Sequence, residues 1–146
     1  MILGINPYLV FDGNGQEAVK FYEKALDAKV LGIQTFGEMG GNSELNIPAE
    51  AKDRILHAHL KIGNTDLMIS DTFPGPHSQP HQIGSQVTIA LTTANVEKSK
   101  EVFAKLSEGG QVLMPLQETF WSPLYGQVTD KFGVTWHVST YVADHS

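Results

Sequence analysis

Two stretches of this chain match each other at a constant spacing. Asn6 falls on Thr88, Leu9 on Leu91 and Phe21 on Phe103, each pair 82 residues apart. The match runs without a gap through one strand-like segment and the helix-like segment after it, as a duplicated unit requires. That feature confines the fold to two copies of one supersecondary arrangement.

The elements follow from local pattern. Asn6–Phe11 is rich in aromatic and β-branched residues and is closed by Asp12-Gly13-Asn14-Gly15, which predicts a strand and a turn. Ala18, Phe21, Tyr22, Ala25 and Leu26 then recur at helical spacing, with Asn14 and Glu17 placed as a capping pair. Lys29–Phe36, Ile55–Ile62 and Asp66–Ser70 complete the first copy as strands. In the second copy Ser85–Thr93 is a strand and Val96–Leu106 a helix stopped by Gly109-Gly110. Gln111–Trp121, Gly126–Thr129 and Val134–Tyr141 are its remaining strands. Repeat one spans about 1–71, a Pro-rich crossover 72–84, and repeat two about 85–141. Gly37–Arg54 is a long polar insertion without a counterpart, and Ala143–Ser146 is expected to fray.

Composition limits the partners. With 41% hydrophobic and 18% charged residues the chain is ordinary globular material, and 146 residues suit one domain. A net charge of −6 disfavours nucleic acid and anionic membrane surfaces as partners. The absence of cysteine removes disulfides, thiolate metal sites and a Cys nucleophile. No apolar run reaches the roughly 20 residues of a membrane span, and Pro7 interrupts the start before a signal-type run develops. The expected location is the cytoplasm.

Strand alternation sorts side chains between two faces. Pro7, Leu9 and Phe11 share one side of the opening strand, against Asn6, Tyr8 and Val10. Its counterpart sets Val87, Ile89 and Leu91 against Thr88, Ala90 and Thr92, and the last strand sets Val134, Trp136 and Val138 against Thr135, His137, Ser139 and Tyr141. The polar faces carry Asn, Tyr, Thr, His and Ser rather than Lys and Glu, which points to a half-buried ligand cleft. No Ser-His-Asp arrangement, phosphate loop or dinucleotide fingerprint is recognisable.

Gln117-Glu118-Thr119-Phe120-Trp121 followed by Gly126-Gln127-Val128-Thr129-Asp130-Lys131-Phe132-Gly133-Val134-Thr135-Trp136 resembles the signature of PhnB-like proteins, a branch of the vicinal oxygen chelate superfamily. Asn6-Pro7-Tyr8-Leu9, Phe21-Tyr22, His57-Ala58-His59-Leu60 and Met68-Ile69-Ser70-Asp71 are similar to the first half of the same branch. The resemblance implies an α+β fold in a single domain. Two βαβββ modules would form a cupped, mostly antiparallel eight-stranded sheet with the helices on its outer face. It also implies a homodimer. Superfamily enzymes commonly hold a divalent metal through His and Glu from four strands. Carried over singly, those positions are Asn6, Thr88, His137, and either Met68 or Ser70.

Only His137 among these is a strong ligand for a borderline metal. The expectation is therefore a small-molecule binding protein without a resident cofactor. His137 is its acid–base group, and Asn6, Tyr8, Ser70, Thr88 and Trp121 are its ligand contacts. The alternative is a divalent-metal-dependent isomerase, lyase or dioxygenase in which His137 joins His57, His59 or Glu118. A protein-interaction module with a degenerate cleft is a third class. His57 and His59 are expected to be half-exposed strand residues, and His77 and His81 solvated loop residues. Phosphonate chemistry has no support, since the only Arg is Arg54.

Overall fold

The computed structural model describes residues 1–41, 49–72 and 81–142, so His77 and the tail from Ala143 lie outside the described residues. The chain divides into two compact units, 1–82 and 83–146. The first runs β1 (Tyr8–Phe11), α1 (Gly15–Leu26), β2 (Lys29–Thr35), β3 (Ile55–Ile62) and β4 (Thr65–Asp71). The second runs β5 (Ile89–Thr93), α2 (Val96–Leu106), β6 (Gln111–Gln117), β7 (Tyr125–Thr129) and β8 (Thr135–Thr140). Each unit is a βαβββ module, as the duplication requires.

The sheets repeat one order, β1-β4-β3-β2 and β5-β8-β7-β6. β1 and β4 run parallel, as do β5 and β8, while the other pairings are antiparallel. The parallel registers fix equivalence between units. Tyr8 lies opposite Met68, and Ala90, its partner at the 82-residue offset, lies opposite His137.

Each helix covers one face of its own sheet. Ala18, Val19, Tyr22, Ala25 and Leu26 of α1 are buried together with Ala58, Leu60, Leu67 and Ile69 of the first sheet. In the second unit Ser99, Val102, Phe103 and Leu106 of α2 are buried with Val128, Trp136 and Val138. Removing the apolar ones among these side chains from water is the main force holding each layer pair, at roughly 1.5–3 kcal/mol for each large side chain.

Several local expectations are corrected. Asn14 makes no capping bond from its side chain. The buried Asp71 carboxylate at the end of β4 replaces it, accepting from Gly13 N at 2.8 Å, Gly15 N at 2.9 Å and Ile55 N at 2.7 Å. A Cβ on residue 15 would fall 2.7 Å from this carboxylate, so the approach depends on glycine. Asn95 does cap α2, accepting from Lys98 N at 2.8 Å.

The segment expected as a strand through Trp121 ends at Gln117. There Thr119 N and Ser122 O close a turn at 3.0 Å, and Ser122 N bonds back to Thr119 Oγ1 at 3.1 Å. Within the insertion, short 3-10 turns occupy Phe36–Gly41 and Ala49–Ala51, anchored by the buried Phe36 and Ala51. His81 is not merely a solvated loop residue: its Nε2 lies 2.9 Å from the Val10 carbonyl.

Candidate functional site

The side chains bearing most chemistry lie on the faces the helices leave open. In the second sheet this face carries Ala90, Thr92, Tyr125, Gln127, Thr129, Thr135, His137 and Ser139, because burial alternates along β7 and β8 and the odd-numbered residues there are half-buried. His137 stands opposite Gln127 across the β7–β8 ladder.

Around His137 the open face is continuously hydrogen-bonded. Gln127 Nε2 donates to the Tyr125 hydroxyl at 3.0 Å, and that hydroxyl lies 2.6 Å from His137 Nδ1. His137 Nε2 reaches Thr88 Oγ1 at 3.0 Å. The Tyr125 and His137 rings stack at 28° with centroids 5.9 Å apart. Trp121 packs edge-on against Tyr125 at 5.2 Å, and the Phe120 ring meets Trp121 at 4.7 Å. Phe120 is almost fully exposed and Trp121 half exposed. Glu118 to Pro123, with Val142, line an open groove of about 470 Å³ beside this row.

The turn feeding β8 explains the Asp-Lys-Phe-Gly signature. Asp130 is buried and accepts Phe132 N at 2.9 Å and Val134 N at 3.1 Å through Oδ1, and Trp136 Nε1 at 2.8 Å through Oδ2. Gly133 supplies the positive φ of 89° that closes the turn. With Trp136 locked on the helix side, the next residue, His137, is directed to the open side.

The open face of the first sheet is built from different residues. Its register makes Met68 the counterpart of His137, and Ser70, opposite Val10, the counterpart of Ser139. The Tyr8 hydroxyl lies 3.3 Å from His57 Nδ1, and His59 Nε2 lies 2.9 Å from Asp66. His59 hydrogen bonding, joined by Lys61, holds the Asp66 carboxyl below its ordinary value against the opposing cost of burial. A second open groove of about 420 Å³ runs past Leu31, Gly32, His57 and His59. Asn6 is exposed ahead of β1.

The expected residues are thus placed as follows. His137, Thr88 and Trp121 belong to one neighbourhood on the second sheet. Tyr8 and Ser70 share the open face of the first, which also carries the His57 and His59 pair. Tyr125 and Gln127 were missed. Extending the Gly126 strand by one residue would have put Tyr125 in the same alternation as Gln127, and that was the available signal.

The donor set does not fit a borderline divalent ion. Asn6, Met68 and Thr88 contribute neutral weak donors, and both nitrogens of His137 are already hydrogen-bonded. Among the described residues no group of three His, Cys, Asp or Glu is placed to hold a metal.

Comparison with known proteins agrees with this architecture. A family model for the Glyoxalase/Bleomycin resistance protein/Dioxygenase superfamily matches residues 4–138. Protein YjdN of Escherichia coli (strain K12) is 36% identical over 141 residues, covering 92% of this chain and 93% of that protein. The crystal structure of protein PA1353 from Pseudomonas aeruginosa superposes with a TM-score of 0.79 at 37% identity, covering 95% of this chain and 98% of the other. The PhnB protein from Bacillus cereus gives 0.75 at 25% identity, covering 94% and 98%. The chain belongs to the Glyoxalase/Bleomycin resistance protein/Dioxygenase superfamily.

Proposed function

We propose that this chain is a PhnB-like small-molecule binding protein that takes its ligand on the open face of the second sheet, around Thr88, Tyr125 and His137 and against Trp121. The observation that carries the reading is the continuous row Gln127, Tyr125, His137, Thr88 beside an exposed aromatic wall. A ligand surface needs a few oriented polar groups and apolar area to bury, and this face has both. His137 is the side chain there suited to proton exchange near neutral pH. Asn6, Tyr8 and Ser70 are read as ligand contacts of the first unit's own open face.

The protein is read as working without a resident metal, because replacing imidazole and carboxylate ligands by amide, hydroxyl and thioether removes the charge that repays dehydration of the ion. We further read it as a cytoplasmic homodimer: outer strands such as β2 and β6 each have one partner within their own sheet, and symmetric pairing is a common way to cover such edges. No helix among the described residues is long and apolar enough to cross a membrane.

Crystals soaked with small aromatic or carboxylate compounds test the site, with density expected beside His137 and Trp121. Density confined to the helix-covered face would overturn it. Elemental analysis of untagged protein tests the metal reading. Near one zinc, nickel, iron or manganese per chain, lost in His137→Ala, would replace it with a metal-dependent isomerase, lyase or dioxygenase. A 16.0 kDa mass by light scattering would remove the dimer.

A further inference from the structure

We infer that Gln127 and Tyr125 are positioning residues that fix the tautomer of His137, so that the face presents a hydrogen-bond donor at Thr88 and selects ligands with an acceptor oxygen, a carbonyl or carboxylate. The inference rests on the ligand face assigned above. It concerns the direction in which the hydrogen bonds run.

The direction follows from counting protons. An amide nitrogen only donates, so the Gln127 Nε2 bond at 3.0 Å makes the Tyr125 oxygen an acceptor. The phenol has one proton of its own, and His137 Nδ1 stands 2.6 Å from that oxygen. The contact joins an oxygen and a nitrogen whichever of them donates, so the proton count sets its direction: with its oxygen accepting from Gln127, the phenol has its own proton to give. Tyr125 therefore donates and Nδ1 accepts. A neutral imidazole with Nδ1 as acceptor carries its proton on Nε2, which then donates to Thr88 Oγ1 at 3.0 Å.

With its oxygen accepting from His137, the Thr88 hydroxyl has its own proton left to give. Thr88 is exposed, so that proton points to whatever occupies the face. The opposite tautomer would require the Tyr125 oxygen to accept two N–H groups at once while its proton sought a further acceptor. Stacking of the Tyr125 and His137 rings holds the pair in place.

Nitrogen-15 NMR of the imidazoles at mildly alkaline pH, where histidine is neutral, reads the tautomer directly. The wild-type protein should show His137 protonated on Nε2. Gln127→Glu places an acceptor where the amide donated, drawing the Tyr125 proton away and moving His137 toward the Nδ1-protonated form. Tyr125→Phe removes the constraint and should give a mixture. Unchanged signals from the rest of the chain would show that each variant folds. Nδ1 protonation in the wild type, or a tautomer indifferent to both substitutions, overturns the inference.

Two probes of one shape test the ligand class. Acetophenone, which only accepts, should shift the His137 and Thr88 signals and bind about tenfold more weakly to Thr88→Val, on the order of one hydrogen bond. Protonated 1-phenylethylamine, which only donates, should leave them unmoved. Equal or stronger effects from the amine overturn the ligand class. Acetophenone bound to this face alongside the wrong tautomer sinks the inference and spares the ligand site. Failure of both compounds to touch the face rejects the acceptor-ligand claim and the site assignment together.

Discussion

On the open face of the first sheet the Tyr8 hydroxyl meets His57 across 3.3 Å in an exposed pair, whereas in the second Tyr125 meets His137 at 2.6 Å, part-buried and stacked. The two pairs do not descend from one another. The ladders align His57 with Tyr125 and His59 with Gln127, and place Met68 where His137 stands. Duplication has therefore preserved the frame while each half acquired its own polar row. Only the second row is joined end to end, because Met68 offers a thioether where His137 offers two ring nitrogens.

The halves differ equally on the buried side. Asp71 and Thr140 occupy equivalent ends of β4 and β8. Asp71 binds three backbone N–H groups, while Thr140 Oγ1 lies 2.6 Å from Ser99 Oγ, which also meets Thr93 at 2.6 Å. The largest expected effect comes from removing them. Asp71→Ala strands the two buried donors Gly15 N and Ile55 N and leaves the exposed Gly13 N to water; it should cost about 2–6 kcal/mol, lowering the melting temperature by on the order of 10 °C. Thr140→Val leaves Ser99 bonded to Thr93 and should cost about 1 kcal/mol. Thermal unfolding of the two variants side by side checks this, and similar losses would mean the ends are pinned alike.

The open faces should separate the halves next. His137→Ala removes the centre of the connected row and should weaken acetophenone binding about tenfold or more, a change of roughly 1.4 kcal/mol. His57→Ala interrupts only an exposed contact and should change it less than about twofold, since long exposed bonds contribute little. NMR titration of both variants decides; a larger loss at His57 would transfer the ligand to the first unit.

Much of this frame was legible from local pattern. β3 and α2 have the bounds their periodicity predicts, and alternation placed Tyr8, His137 and Ser139 on the open faces. The failures occurred where a distant residue intervenes. Asn14 looked like a cap, but Asp71, 57 positions on in sequence, holds the turn on either side of it by accepting from Gly13 N and Gly15 N. Which of Met68 and Ser70 is the counterpart of His137 depended on which residue lies opposite Tyr8, a matter of ladder register that β4 alone does not encode. Tyr125 escaped because β7 starts one residue earlier than its apolar pattern indicated, against a neighbouring strand that local reading cannot see.

The smallest expected effect concerns acid. Asp12 and Asp66, both in the first unit, are held below the ordinary carboxyl value of 3.8: Asp12 chiefly by the Thr72 hydroxyl bond at 2.6 Å with Arg54 assisting, Asp66 chiefly by His59. A carboxyl lowered in the folded state binds protons less readily there than when unfolded. Its contribution is therefore present above the unfolded value and fades as pH falls through the folded one. Asp12 is exposed and Asp66 half-buried at the surface, so solvent and salt screen the effect to a small one. Amide hydrogen exchange through the carboxylate range should show protection around β1, β3 and β4 declining with acid. The decline should be shallower in Asp12→Asn/Asp66→Asn and at high salt, while amides of β7 and β8 respond to acid identically in both proteins. A double variant whose first-unit amides follow the wild-type acid profile would show that these contacts do not couple the first unit to pH.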